Sequence, residues 1–154
     1  MPATYFSLSF NSALGPVRIL GNDRGVGAVC FAKTVIKDSP DAPDFLEDCR
    51  EQVKEYLAGK RRTFSDLPLC IRGTRFQQDV WDLAAGIPFG ETASYGDLAE
   101  ELGMKAAQAV GQALKRNPIA LIIPCHRVVP AKNIGGYAWG VWRKKWLLAL
   151  EENA

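Results

Sequence analysis

Residues 95–117 read YGDLAEELGMKAAQAVGQALKRN, and this stretch decides the fold. YGDLAEELG predicts a short helix, capped at its start by Thr92 or Ser94 and ended at Gly103. KAAQAVGQALKRN predicts a second short helix that stops before Pro118, whose fixed φ and missing N–H cannot continue it. Two short helices joined by a glycine-containing turn, the second ending on Lys115-Arg116, have the pattern of a helix-turn-helix. An ordinary αα-corner inside a core has the same pattern. Ala106, Ala107, Ala109 and Gly111 give the second helix a face of small residues, which suits close approach to a nucleic-acid groove or to another helix.

Charge is distributed unevenly around this stretch. Residues 103–147 hold Lys105, Lys115, Arg116, Arg127, Lys132, Arg143, Lys144 and Lys145 and no acidic residue. Residues 1–71 hold equal numbers of basic and acidic side chains, so the net charge of +2 conceals a strongly basic segment. Such a segment suits a polyanion, and it also fits a solvated face that lacks acids.

Upstream, FQQDVWDLAAGI predicts a helix with Phe76, Val80, Leu83 and Ala84 on one face. The first half of the chain has a different pattern. TYFSLSF, GPVRILG and GVGAVCFA predict three strands separated by Gly/Asn/Asp turns. DFLEDCREQVKEYLAG predicts a helix with Phe45, Cys49, Val53, Tyr56 and Leu57 at helical spacing, capped by Asp44 and ended by Gly59. The polar, turn-rich segment Lys60–Arg72 predicts a boundary between two domains, 1–71 and 72–154. The 154 residues, 47% hydrophobic, are enough for a real core and too rich in apolar side chains for disorder. No apolar run has the length of a membrane span and the N-terminus has no signal pattern, so a cytoplasmic (nucleoid-associated) or nuclear protein is expected.

Cys30, Cys49, Cys70 and Cys125 are widely and irregularly spaced, without a C-x-x-C pair. Neither a zinc site nor a disulfide framework is expected, and Cys30, Cys49 and Cys70 are expected as core thiols. Cys125 differs because it precedes His126, the one histidine of the chain, in IALIIPCHRVVP. An imidazole or a nearby cation such as Arg127 lowers a thiol pKa and makes the sulfur nucleophilic. The run before Pro124 predicts an apolar strand, on which neighbouring side chains point to opposite faces, so imidazole–thiol contact would need a turn or a bridging water. A buried thiol beside a hydrogen-bonded histidine is the alternative for any Cys-His pair.

Pro124-Cys125-His126-Arg127-Val128-Val129 resembles the active-site signature of the O6-alkylguanine-DNA alkyltransferases. FQQDVW, IPFGETASYGDLA, KAAQAVGQALKRNP, IIPCHRVV, GGYAWGVWRKKWLL and Glu151 follow in that family's order and spacing over roughly Thr74–Glu152. The first half resembles the family's variable N-terminal domain only in length and strand–helix order. The resemblance implies an α/β N-terminal domain, a small RNase H-like sheet plus helix, followed by a mostly α winged-helix/helix-turn-helix catalytic domain. It also implies repair of alkylated guanine in double-stranded DNA, O4-alkylthymine being a further candidate, by irreversible transfer of the alkyl group to Cys125.

In that resemblance His126 takes the thiol proton through a water and Glu151 orients the imidazole. Tyr95 protonates the leaving guanine oxygen, Lys144 supports that donation, and Asn117 braces the turn before the nucleophile. The backbone of Cys125 and Val128 accepts from the guanine amino group, with Tyr137, Ala138 and Trp139 lining the other side. Trp139 and Trp142 are expected to limit adduct size. Ala107, Gln108, Ala109, Gly111, Lys115, Arg116 and Ser94 are the implied DNA contacts, largely independent of sequence. The family usually has an arginine where this chain has Gln108, which lacks the charge and stacking plane of a guanidinium. No cofactor or metal is implied, and a monomer is expected. Three other functions compete: a non-catalytic alkyltransferase-like lesion binder, in which the acceptor cysteine is typically replaced; a Cys-His hydrolase, which must turn over; and a helix-turn-helix regulator indifferent to loss of the thiol.

Overall fold

The computed structural model describes residues 5–105 and 107–154. Thr4 of the first expected strand and Ala106 of the small-residue face lie outside the described residues. The chain divides into two compact units, the first ending at Arg72 and the second spanning Gly73–Ala154.

The first unit contains the three strands the alternation predicts: β1 (Phe6–Ser12), β2 (Gly15–Gly21) and β3 (Val26–Phe31), antiparallel in the order β1-β2-β3. The register pairs Leu8 with Ile19 and Ile19 with Val29, so these three buried side chains stand in one row of the sheet. Helix α1 (Asp44–Leu57) packs on the sheet through Leu46, Cys49, Val53 and Tyr56, whose 3-4-3 spacing makes one stripe. Phe45 and Leu57, expected in this stripe, flank it and are only half-buried. Asp44 does not cap the helix; Pro43 holds the cap position, and Asp44 sits in the first turn, where its charge favours the helix dipole. Gly59 ends the helix as expected, at φ +76°. Residues 68–70 run along the sheet, Val26 N–H donating to Pro68 O (2.8 Å) and Cys70 N–H to Val26 O (2.9 Å). A Cβ on Gly25 would lie 2.8 Å from Pro68 O, so this approach requires glycine. All four cysteines are free thiols; Cys49 is fully buried, whereas Cys30 and Cys70 are only half-buried at the sheet.

The second unit is mostly helical, as expected. Helix α2 (Arg75–Ala85) opens on a capping box between Thr74 and Gln77. It buries Val80, Trp81 and Ala84, while Phe76 and Leu83 are half-buried. Trp81 takes the central place because its indole Nε1 donates to Ala113 O (2.9 Å), giving a buried donor its partner. The short strand β4 (Ala93–Ser94) leads into helix α3 (Tyr95–Glu101), and helix α4 (Gln108–Lys115) follows after a turn through Gly103 at φ +69°. Ser94, not Thr92, caps α3, in a capping box with Asp97. Strand β5 (Val128–Val129) pairs with β4 in parallel, Ala93 opposite Val128 and Ser94 opposite Val129. Helix α5 (Val141–Glu152) completes the unit. No helix among the described residues is long and apolar enough to cross a membrane.

The segment before Pro124 departs from expectation: it is a series of turns rather than a strand. Asn117, buried after α4, accepts from Ile119 N–H at Oδ1 (2.9 Å) and donates from Nδ2 to Ile123 O (2.9 Å). A side-chain amide that satisfies backbone groups locally replaces the partner strand an extended run would need. Leu121 takes φ +73° inside this loop.

Trp81→Phe keeps most of the apolar volume but leaves the buried Ala113 carbonyl without its indole donor. Ala113 O keeps the Arg116 N–H (3.1 Å), so the unfolding free energy should fall by about 1 kcal/mol, measured by urea denaturation of both proteins; an unchanged midpoint would show that the indole bond adds no stability.

Candidate active site

The turns set by Asn117 end in one 3-10 turn, Cys125–Arg127, between Pro124 and β5. The turn removes the geometric objection raised by an extended strand, because consecutive side chains now fan out from one tight loop. Cys125, His126 and Arg127 are all buried. Asn117 Nδ2 also lies 3.2 Å from the Cys125 sulfur, so one amide shapes the loop and donates to the thiol.

Behind the sulfur is a buried polar network. His126 Nε2 lies 2.7 Å from Glu151 Oε2. Arg127 grips the same carboxylate with two donors, Nε to Oε1 (2.8 Å) and Nη2 to Oε2 (2.9 Å), while its Nη1 donates to Ile87 O (2.7 Å). Gly90 N–H also donates to Oε1 (3.2 Å). Lys144, fully buried on α5, donates to Val128 O (2.8 Å) and Gly136 O (2.9 Å). Its ammonium lies 5.8 Å from the centre of the Tyr95 ring.

In front of the sulfur is a cavity of about 600 Å³, large enough for a purine with a substituent. Cys125, Tyr95, Tyr137 and Ala138 line it, as do Ala107, Gln108, Gly111 and Lys115 from the α4 segment and Ser94 from the α3 cap. Gly135, at φ +73°, lets its loop close over the site; a Cβ there would meet Pro130 Cδ at 2.6 Å and the Tyr95 hydroxyl at 3.3 Å. Tyr137 stands edge-on to the His126 ring at 6.4 Å.

Burial dominates the electrostatics. It pushes the Cys125 thiol up to about 11, against the opposing pull of the Asn117 hydrogen bond and the Lys144 charge. It lowers His126 below the usual imidazole value, although Glu151 acts the other way. It lowers Lys144 to about 8, offset in part by Cys125. The Tyr95 phenol is raised by burial and by the neighbouring sulfur. The expectation of a thiolate favoured by Arg127 is therefore corrected. The resting site holds a thiol beside a neutral imidazole, because desolvation outweighs the nearby cations and Arg127 is turned away to Glu151.

The structure gathers Cys125, His126, Glu151, Asn117, Lys144 and Tyr95 around one point. It puts other expected residues elsewhere. Val128 is buried, and its carbonyl, expected to accept from guanine, already accepts one bond from Lys144 and keeps a second lone pair. Trp139 packs edge-on against Tyr137 (5.3 Å), and Trp142 is 54% exposed with the Arg143 guanidinium 4.5 Å from its ring centre. Among the described residues lining the cavity neither indole is present, so neither restricts its size directly. Arg116 caps the end of α4 on the surface, and Ala109 sits half-buried on that helix away from the cavity lining. Sequence reasoning missed the clamp role of Arg127 and the loop of Ile87 and Gly90 that supports it. The signal was present in the unbroken PCHR run, but the partners lie 24 and 40 residues away.

Comparison with known proteins agrees with this arrangement. Residues 4–71 match the family model described as 6-O-methylguanine DNA methyltransferase, ribonuclease-like domain, and residues 75–153 match the DNA binding domain of the same description. A methylated-DNA–protein-cysteine methyltransferase of Methanosarcina acetivorans is 41% identical, covering 96% of this chain and 97% of that protein. One from Mycobacterium tuberculosis is 39% identical, covering 94% of this chain and 91% of that protein. Among solved structures, the Mycobacterium tuberculosis O6-methylguanine methyltransferase superposes with a TM-score of 0.85 at 37% identity, covering 97% of this chain and 94% of that one. A structure of the Mycobacterium tuberculosis protein in complex with DNA gives 0.84 at 37% identity, covering 97% and 92%.

A neutral resting thiol has a kinetic consequence. At pH 7 iodoacetamide should label Cys125 about a hundredfold more slowly than free cysteine, with the rate rising toward a midpoint near 11. Peptide-resolved mass spectrometry across pH measures this, and a labelling midpoint below 8 would refute it.

Proposed function

This chain belongs to the 6-O-methylguanine DNA methyltransferase family, and from that premise we propose that Cys125 is the sulfur that takes the alkyl group from O6-alkylguanine in DNA, once, and keeps it. The activity is transfer of a methyl group from methylated DNA to a protein cysteine. The observation that carries the assignment of Cys125 is its sulfur at the wall of a purine-sized cavity, backed by the 2.7 Å contact between His126 and Glu151.

The chemistry follows from these positions. As the Cys125 S–C bond forms, the thiol proton passes through a water to His126, whose lowered pKa leaves the imidazole neutral and able to accept it. The bond between the alkyl carbon and O6 breaks, and its electron pair stays on the guanine. Tyr95, at the cavity wall, supplies a proton to that base, and the buried Lys144 ammonium beside its ring supports the donation. The product is a thioether, which water does not cleave, so each molecule acts once. Asn117 holds the turn and the sulfur together throughout.

An alkylated base edge inside a duplex is beyond reach of this sulfur, so the nucleotide must be everted at a cost of a few kcal/mol. α4 would lie in a groove, with Ala107, Ala109 and Gly111 allowing close approach and Gln108 at the cavity mouth facing the gap left in the stack. Ser94, Lys115 and Arg116 would meet phosphates, which carry no sequence information, so binding is largely sequence-independent and salt-sensitive. The protein acts as a monomer wherever the cell keeps its DNA, and residues 1–71 form a supporting domain to the catalytic domain 72–154. Cys125 disfavours the non-catalytic lesion binder.

Incubation with duplex DNA carrying one O6-methylguanine should add a single methyl in place of the thiol proton, mapped to Cys125 by intact-mass and peptide analysis and absent in Cys125→Ser. Repeated turnover, or an unmodified Cys125 with the lesion intact, would refute the assignment. Gln108→Arg should bind duplex DNA about three- to tenfold more tightly at low salt, because it adds a cation and a stacking plane. Side-by-side titrations giving equal or weaker binding for the variant would remove Gln108 from the DNA interface.

A further inference from the structure

The Arg127 guanidinium is unusual in a basic protein that binds DNA because it does not face the solvent. Its side chain is 8% exposed, and each of its nitrogens is committed: Nε and Nη2 to the two oxygens of Glu151, Nη1 to Ile87 O. The guanidinium lies 5.7 Å from the centre of the Phe89 ring. Glu151 in turn is held by Arg127 Nε and Gly90 N–H at Oε1, and by Arg127 Nη2 and His126 Nε2 at Oε2. The imidazole therefore shares its carboxylate oxygen with a permanent cation.

We infer that Arg127 is a positioning residue of the proton path: its planar fork fixes the Glu151 carboxylate and takes up part of its charge, so that His126 stands neutral and oriented to receive the Cys125 proton. The inference rests on the reading of Cys125 as the alkyl acceptor. A carboxylate left to His126 alone would pull the imidazole toward its protonated form, against the burial that keeps it neutral. A lysine at 127 would keep the charge but lose the two-pronged grip.

Glu151 and Lys144 face the His126 ring from α5, Arg127 and Cys125 from its own turn, and Tyr137 from the loop before α5. Helix α2, which also packs on the turn, buries the uncharged Val80, Trp81 and Ala84. Of these groups only Glu151 favours the protonated ring, and Arg127 and Lys144 oppose it. Removing Arg127 removes one opposing cation and leaves the carboxylate to the imidazole, so the His126 midpoint must rise. Transfer needs the neutral ring, so the acid limb of the transfer rate must move to higher pH in parallel.

His126 is the one histidine of the chain, so its ring resonances are unambiguous. In the full-length Arg127→Met protein, an imidazole NMR titration should show the midpoint raised by about one unit or more, with the acid limb of the single-turnover methyl-transfer rate displaced alike. Arg127→Lys should keep the low midpoint but lose about tenfold in rate at the pH plateau, because the carboxylate is no longer held by two donors. A folded Arg127→Met with an unmoved midpoint overturns the inference. Should that variant not fold, an Arg127→Lys protein transferring methyl at the natural rate overturns it. The titration needs no DNA: a natural protein that leaves O6-methylguanine untouched would refute the functional reading, while the His126 midpoints would still decide the role of Arg127.

Discussion

The second unit is organised around one buried carboxylate. Glu151 comes from the last turn of α5, His126 and Arg127 from the 3-10 turn, and Gly90 and Ile87 from the loop after α2. Three segments distant in sequence thus meet at a single pair of oxygens. A buried charge is tolerated only when it is matched and its lone pairs are filled, and this one is matched by a guanidinium and met by donors at both oxygens. The arrangement adds little net stability over an apolar core. Its value is geometric, since each donor accepts only a narrow range of directions and together they fix where the imidazole stands.

A second constraint acts from the other side of the sulfur. Asn117 ties the loop before Pro124 to itself and reaches the thiol, so the nucleophile is held from the α4 end and the α5 end at once. Burial then keeps both the thiol and the imidazole uncharged at rest. The sulfur is therefore protected until a substrate makes the proton transfer worthwhile, which suits a residue that is consumed in a single reaction. An exposed, ionised thiol of the same nucleophilicity would be open to oxidation and to any passing electrophile.

Much of this was legible in the sequence. The three strands and α1 follow from alternation and from a 3-4-3 stripe, because those patterns report local geometry and one buried face. The helix-turn-helix and the cluster of Cys125, His126, Tyr95, Asn117, Lys144 and Glu151 were legible through ordered motif blocks. What was not legible depended on tertiary pairing. IALII has the composition of a strand, but the Asn117 amide satisfies its backbone as a loop. The bond from Lys144 to the Val128 carbonyl joins residues 16 apart and left no mark on the local pattern. Arg127, read as part of a basic field, is drawn inward by a glutamate 24 residues later. Thiol acidity could not be read from neighbours in sequence, because desolvation depends on how deeply the turn is buried.

The two-residue parallel ladder of β4 and β5 joins Ser94, the cap of the first helix of the DNA-docking pair, directly to Val129, two residues past the 3-10 turn. The surface that would grip the duplex and the loop that carries the sulfur are thus stitched in register, with no flexible joint between them. Chain length between Cys125 and Val129 is therefore not free to drift: one inserted residue would swap the faces of the stitch and rotate the sulfur relative to the docking helix. The exposed stretch 131–133 lies outside the stitch, but Ala131 also lines the cavity, so a longer or shorter bridge there would change the pocket wall while leaving the aim of the sulfur alone.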